Sequence, residues 1–269
     1  MQVIEKSIKI GKRELKFKLP ENDHSTGIIR STGLYEKYIV ISILNLQNRR
    51  KYRKIIDLGA NFGYYTIVCG GVIPGASVIS VEPNPDVLDI LKSNIDANDL
   101  KNVELFECAV GNKAENLTIY SNHSNTGTAS LHKLDAYDAE YKVPVKTLDS
   151  LLVDREGYAP DLIKSDLQGF DLEAIDGARK LIQRSYPDII LEFAPKEIEM
   201  PLPQIKDVFN FLSAAQYIPY IYRGHDVSCF EPVTYNILVE IFEFYKKIRH
   251  KGYFNLMFMS SRKRIEAET

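Results

Sequence analysis

The segment Lys54–Thr66 constrains this chain more than any other. An apolar run, Lys54-Ile55-Ile56-Asp57, ends in a glycine-bearing turn, and the residues through Cys69 read as a helix. Strand, tight turn and helix in that order open a βαβ unit, and the texture then repeats. Ser77–Glu82 is predicted as the second strand, with a helix from Pro85 to about Asn98, and Val103–Cys108 as the third. Asp161–Asp166 and Pro187–Phe193 follow as the fourth and fifth, with a helix from Asp171 to Arg184 between them. A helix over Ile205–Ala215 precedes strands at Ile218–Tyr222 and Asn255–Met259, which a helix over Tyr235–Lys247 separates. Seven such strands imply a Rossmann-like, doubly wound, mostly parallel seven-stranded sheet.

Ahead of that core, Ser7–Ile10 and Leu15–Leu19 alternate about Gly11 as a hairpin, and a helix is expected from about Thr32 to Asn48. Residues 1–50 are thus expected to form a small N-terminal cap, and residues 51–269 one structural unit. Leu117–Tyr141 is a polar insertion rich in Asn, Ser, Thr and Gly, with a strand at Leu117–Tyr120.

A formal net charge of −2 argues against a general polyanion binder, and no nucleic-acid partner is expected. The basic runs Arg49–Lys54 and Lys246–Lys251 read as solvated faces. Cys69, Cys108 and Cys229 are scattered and form no C-x-x-C pair, so neither a disulfide framework nor a cysteine zinc site is supported. The opening residues alternate charged and apolar side chains, unlike a signal peptide. No run of about 18 apolar residues occurs, so no membrane span is expected and a cytoplasmic location is.

The turn itself reads Gly59-x-Asn61-x-Gly63 and lacks the third glycine of a dinucleotide fingerprint. Glycine there lets a ligand approach the main chain with no Cβ between them. A pyrophosphate needs the close approach of the full fingerprint. A sulfonium cofactor has no phosphate, and its ammonium end suits an acid such as Asp57. Glu82 ends the second strand about 20 residues downstream, where a ribose-binding carboxylate belongs. Pro83 follows it and turns the chain into the next helix. Ala109 and Val110 supply small side chains where an adenine could pack. These strand ends share the carboxyl edge of a parallel sheet, where such folds bind ligands.

The stretches IIDLGANFGYYT, VISVEPNP, VELFECAVG, VPVKTLDSLL, DLIKSDLQGFDLEAIDGA and PDIILEF resemble the FkbM-type methyltransferases. The resemblance implies the class I methyltransferase fold, S-adenosylmethionine as cofactor, and O-methylation of a sugar, glycan or natural-product hydroxyl. It maps Asp57, Gly59, Asn61, Gly63, Glu82, Ala109 and Val110 onto the cofactor pocket, and Glu36 onto an acidic position before the first core strand. One departure stands out: Gln168 replaces a carboxylate after the fourth strand.

In methyl transfer much of catalysis is alignment, and a hydroxyl acceptor gains from a base. Asp166, ending the fourth strand, is the expected base or hydroxyl anchor. Lys164, on the same strand face, would tune it, and Glu192 ends the neighbouring strand. No metal is expected to be required, although two carboxylates would suit magnesium or calcium. His24, His132 and His225 are further base candidates. The alternatives are an NAD-dependent oxidoreductase, disfavoured by the missing glycine, and a methyltransferase-like module that binds without catalysis.

Overall fold

The computed structural model describes residues 2–155, 157–222, 230–248 and 253–262. The chain divides into two compact units, Met1–Ala109 with Glu115–Pro144, and Val110–Ala114 with Val145–Thr269. The strand–helix alternation is that of the expected Rossmann-like α/β fold.

The first unit opens on an antiparallel hairpin, β1 (Val3–Ile10) and β2 (Arg13–Pro20), in register from Val3↔Pro20 to Ile10↔Arg13. Helices α1 (His24–Thr32) and α2 (Lys37–Arg50) follow. Then come β3 (Lys54–Leu58), α3 (Tyr64–Val72), β4 (Ser77–Val81), α4 (Pro85–Ala97) and β5 (Val103–Phe106). The strands β3, β4 and β5 are parallel neighbours. Ile55, Ile56, Leu58, Val78, Ile79 and Val81 are all buried, which is why these strands read as continuous apolar runs rather than alternating ones.

Two asparagines, Asn94 on α4 and Asn98 at its C-cap, dock the hairpin. Asn94 Oδ1 accepts from Lys18 N at 2.6 Å, and Asn98 Oδ1 accepts from Lys16 N at 2.8 Å. The same amides donate to Lys18 O and Lys16 O. Standing four residues apart on one helix face, they act as a surrogate strand that satisfies the open edge of β2. Asn94 Nδ2 also donates to Phe62 O at 2.7 Å, tying the hairpin to the glycine turn. After β6 (Ala109–Val110), the insertion contains β7 (Glu115–Ser121) and a 3-10 turn at Thr126–Thr128, and leads into β8 (Ala139–Lys146).

The second unit holds α5 (Leu148–Leu151), β9 (Leu162–Ser165), α6 (Asp171–Asp176), α7 (Arg179–Ser185), β10 (Asp188–Phe193) and α8 (Leu202–Ala214). It ends with β11 (Tyr217–Tyr222), β12 (Phe230–Pro232), α9 (Tyr235–Lys247) and β13 (Phe254–Ser260). Its strands run β9-β10-β13-β11-β12: β9 and β10 are parallel, and the remaining neighbours pair antiparallel. With β3, β4 and β5 these make eight core strands among the described residues against the seven expected; the added one is the three-residue β12.

The helix expected from Asp171 to Arg184 is two helices. A Cβ at Gly177 would run into the carbonyl of Gly111, so the chain can pass there only as glycine. Asp149 then caps the new helix, its carboxylate accepting from Lys180 N at 3.0 Å and Leu181 N at 2.8 Å. Thr147 caps α5 through Ser150 N. The motif VPVKTLDSLL is therefore a double helix-capping device. No helix among the described residues is long and apolar enough to cross a membrane.

Candidate functional site

Three left-handed residues shape the turn after β3: Gly59 at φ 74, Asn61 at φ 52 and Gly63 at φ 92. Gly59 N and Ala60 N donate to Val81 O, pinning the turn to the end of β4. At Gly63 the lack of a side chain serves packing, because a Cβ would stand 2.5 Å from Leu91 Cδ1 of α4.

Glu82 joins two turns. Its Oε2 accepts from Asn61 N at 2.7 Å and its Oε1 from Asn84 N at 2.8 Å. Those bonds take up about half the acceptor positions of a carboxylate. They also consume the Asn61 N–H, a main-chain donor of the kind a phosphate loop would aim at its ligand. Pro83 is half-buried between Glu82 and the N-cap Asn84. Ala109 is buried in the first unit; Val110, also buried, begins a segment of the second.

Two adjacent residues of α3 hold two further acids of the first unit, Glu36 and Asp57. Tyr65 Oη donates to Glu36 Oε2 at 2.6 Å, and Thr66 Oγ1 donates to Asp57 Oδ2 at 2.5 Å. Glu36 is left-handed at φ 38, a conformation uncommon for its type. Asp57 is only 3% exposed, so it braces the turn from within. Burial first, then the Glu36 charge, pushes the Tyr65 hydroxyl well up, which keeps it a donor. Burial, then Asp57, likewise raises the Cys69 thiol.

The insertion reaches the same turn through Thr126. Its hydroxyl lies 2.9 Å from Asp23 Oδ2 and 3.0 Å from Asn61 Oδ1. One hydroxyl has one proton. That proton serves the carboxylate, and the Asn61 contact is satisfied by turning its amide so that nitrogen faces the hydroxyl.

In the second unit the structure gathers Lys164, Asp166 and Glu192 about Gln168. Lys164 is 2% exposed; its Nζ donates to Ser165 O at 3.1 Å and lies 3.8 Å from Asp166 Oδ2. Gln168 Nε2 donates to Asp166 Oδ1 at 3.0 Å and to Glu192 Oε2 at 3.2 Å. This residue was visible in the sequence only as a departure from a family pattern. Of the histidine candidates, His24 begins α1 on the surface and His132 is half-buried in the insertion. His225 lies outside the described residues, as do Cys229 and Arg249–Lys251 of the second basic run.

Beneath the cluster, Asp171 accepts from Ser165 Oγ at 2.5 Å and from Leu167 N at 3.3 Å. Burial dominates those bonds and raises its carboxyl to about 7, with Asp166 adding to the rise and Lys164 opposing it. Half-buried Glu173 is also raised to about 7, by burial and then its acidic neighbours. A raised carboxyl stabilises the fold fully below its unfolded value of 3.8 and loses that contribution as pH climbs through about 7. Stability should fall from about pH 5 to pH 8, and Asp171→Asn should remove roughly 2–3 kcal/mol of that fall. Melting curves across this range decide it; parallel curves for variant and wild type would mean Asp171 is ionised throughout. Glu173 leaves a residual slope of the same sign in the variant.

The curated relatives match part of the chain. Hexuronic acid methyltransferase AglP of Haloferax volcanii is 28% identical over 162 residues, 60% of this chain and 61% of that protein. Methyltransferase sdnD of Sordaria araneosa is 25% identical over 181 residues, 55% of this chain and 69% of that protein. Among solved structures, methyltransferase FkbM from Methylobacillus flagellatus KT aligns with a TM-score of 0.46 and 20% identity, over 77% of this chain and 43% of that one. The chain thus spans less than two thirds of AglP and less than half of the M. flagellatus protein. The model of the methyltransferase FkbM domain matches residues 57–219, from Asp57 beside the glycine turn to Pro219 in β11. That span holds Glu82 of the first unit and the Gln168 cluster of the second, and by it this chain belongs to the FkbM methyltransferase domain family.

Proposed function

We propose that the chain is an S-adenosylmethionine-dependent methyltransferase acting on a hydroxyl of a sugar, glycan or other small molecule. The observation that carries this reading is the bond from Asn61 N to Glu82 Oε2. It turns the glycine loop into the support of a carboxylate, which suits a ribose diol and a cationic ligand and repels a pyrophosphate. Donor chemistry in the first unit fits the cofactor on that count: Glu82 for the ribose, small Ala109 near the third strand end, and acids Glu36 and Asp57 held by α3. When bound, the cofactor supplies a methyl activated by its sulfonium.

The chain's own residues do the rest. Asp166 would hold the acceptor hydroxyl and take its proton as that oxygen turns on the methyl the cofactor would supply. Lys164 stands beside it, its Nζ 3.8 Å from Asp166 Oδ2, and helps to orient the carboxylate. Glu192 holds a neighbouring hydroxyl, which favours a polyol acceptor; AglP's name, a hexuronic acid methyltransferase, agrees with a sugar.

Thermal shift separates this from the dehydrogenase reading. S-adenosylhomocysteine at 100 times its Kd should add about 2.7 kcal/mol, raising the melting temperature by roughly 5–10 °C, and NAD should add nothing. A shift with NAD and none with S-adenosylhomocysteine would reassign the turn to a nicotinamide cofactor.

A further inference from the structure

Strands β9 and β10 run parallel with Lys164 opposite Ile190 and Ser165 opposite Leu191. One step further along that register, Asp166 leaves β9 as Glu192 continues β10, so two carboxylates emerge side by side. Like charges in neighbouring register repel. Among the described residues no group of three or more His, Cys, Asp or Glu side chains converges as a metal centre would. Instead a single amide stands at both carboxylates. Gln168 is left-handed at φ 49 and is followed by Gly169 at φ 96, where a Cβ would come within 2.5 Å of Glu197 O. That tight turn carries Nε2 to 3.0 Å from Asp166 Oδ1 and 3.2 Å from Glu192 Oε2. A primary amide has two N–H donors, one for each acid, and bonds to ionised acceptors are among the stronger ones.

We propose that Gln168 is a positioning residue whose amide holds Asp166 and Glu192 as a pair, in the role a divalent cation takes between two carboxylates. The two N–H groups fix one oxygen of each acid. Lys164 stands by the other oxygen of Asp166. The carboxylate spacing is thereby set by protein alone. The inference rests on the methyl-transfer reading only for what the pair acts upon.

Manganese tests it, because a purely structural glutamine would give no metal response when changed. Free Mn²⁺ is followed by electron paramagnetic resonance against wild type, Gln168→Glu and Gln168→Met. Wild type should show no saturable binding below about 1 mM, the weak end of carboxylate cation sites. Gln168→Glu, with a third carboxylate in place of the amide, should bind about tenfold tighter or better, and adding Asp166→Asn should abolish the gain. Gln168→Met keeps the length and loses both donors. Its melting temperature should fall by roughly 3–8 °C, with Mn²⁺ restoring much of the loss and leaving wild type unmoved. Equal Mn²⁺ affinity in wild type and Gln168→Glu would overturn the proposal, as would a Gln168→Met protein that melts like wild type or ignores the metal. S-adenosylhomocysteine shifts recorded on the same proteins keep the two ideas apart. No shift in wild type removes the cofactor reading, while the manganese results still decide Gln168.

Discussion

Asp166→Asn is expected to lower turnover by about 10²–10⁴-fold, the usual share of general-base help, while S-adenosylhomocysteine binds as in wild type. Lys164 and Ser165 just before it are buried, whereas the Asp166 side chain keeps 25% of its surface exposed. It is therefore the point at which charge at the end of this strand reaches the surface. Asparagine preserves the shape and a hydrogen-bonding oxygen for Gln168, and removes both charge and basicity. The loss should fall on kcat rather than on cofactor affinity, measured as S-adenosylhomocysteine release with saturating acceptor. Lys164 loses its charged neighbour in the variant, so a melting curve must accompany the kinetics. Equal turnover in a folded variant would remove Asp166 from the mechanism and leave alignment alone, or a histidine, to carry the transfer.

Glu82→Ala should weaken S-adenosylhomocysteine binding by roughly 10–150-fold, which is about 1.5–3 kcal/mol for a lost bond to a charged group. The residue is 5% exposed and serves two main-chain donors, so its removal also strips Asn61 N and Asn84 N of an acceptor. Each such unpaired donor costs about 1–3 kcal/mol where it stays buried, and the glycine turn should loosen along with the lost affinity. Glu82→Gln separates the two effects. Its amide can still accept from one turn while the charge is gone, so the fold should hold better than in the alanine variant and affinity should still drop. Calorimetry showing wild-type affinity in either folded variant would leave Glu82 as a turn brace only.

The strands whose residues are apolar throughout were legible from the chain, because burial on both faces writes itself as an unbroken run: Ile55-Ile56 and Val78-Ile79 are examples. Helix α9 begins and ends where its pattern does, at Tyr235 and Lys247, with Thr234 as its cap. Features that depend on a distant partner were not. Nothing local in DLEAIDGARKL says that Gly177 must yield to the Gly111 carbonyl, or that Asp149, 31 residues away, caps the helix that starts there. Helix α1 is not legible because Gly27 and its β-branched neighbours are poor helix formers, leaving only its caps, Asp23 and Gly33, as local signals. At the site, residue types at strand ends announced Glu82, Asp166 and Glu192. The task of Gln168 depends on a left-handed turn and a parallel register, which no spacing encodes.

Thr126 sets a rule for anyone who would transplant this insertion between relatives. Its hydroxyl is the common partner of Asp23, which is 2% exposed and caps α1, and of Asn61 in the glycine turn. A chimera that imports a foreign segment over residues 122–130 without a hydroxyl at that place leaves the Asp23 carboxylate facing the Asn61 amide across a gap. Such a graft would disturb the glycine turn before any new acceptor was tried. Positions 23, 61 and 126 therefore travel together, and a library that varies the insertion should hold this trio constant or exchange it as a block.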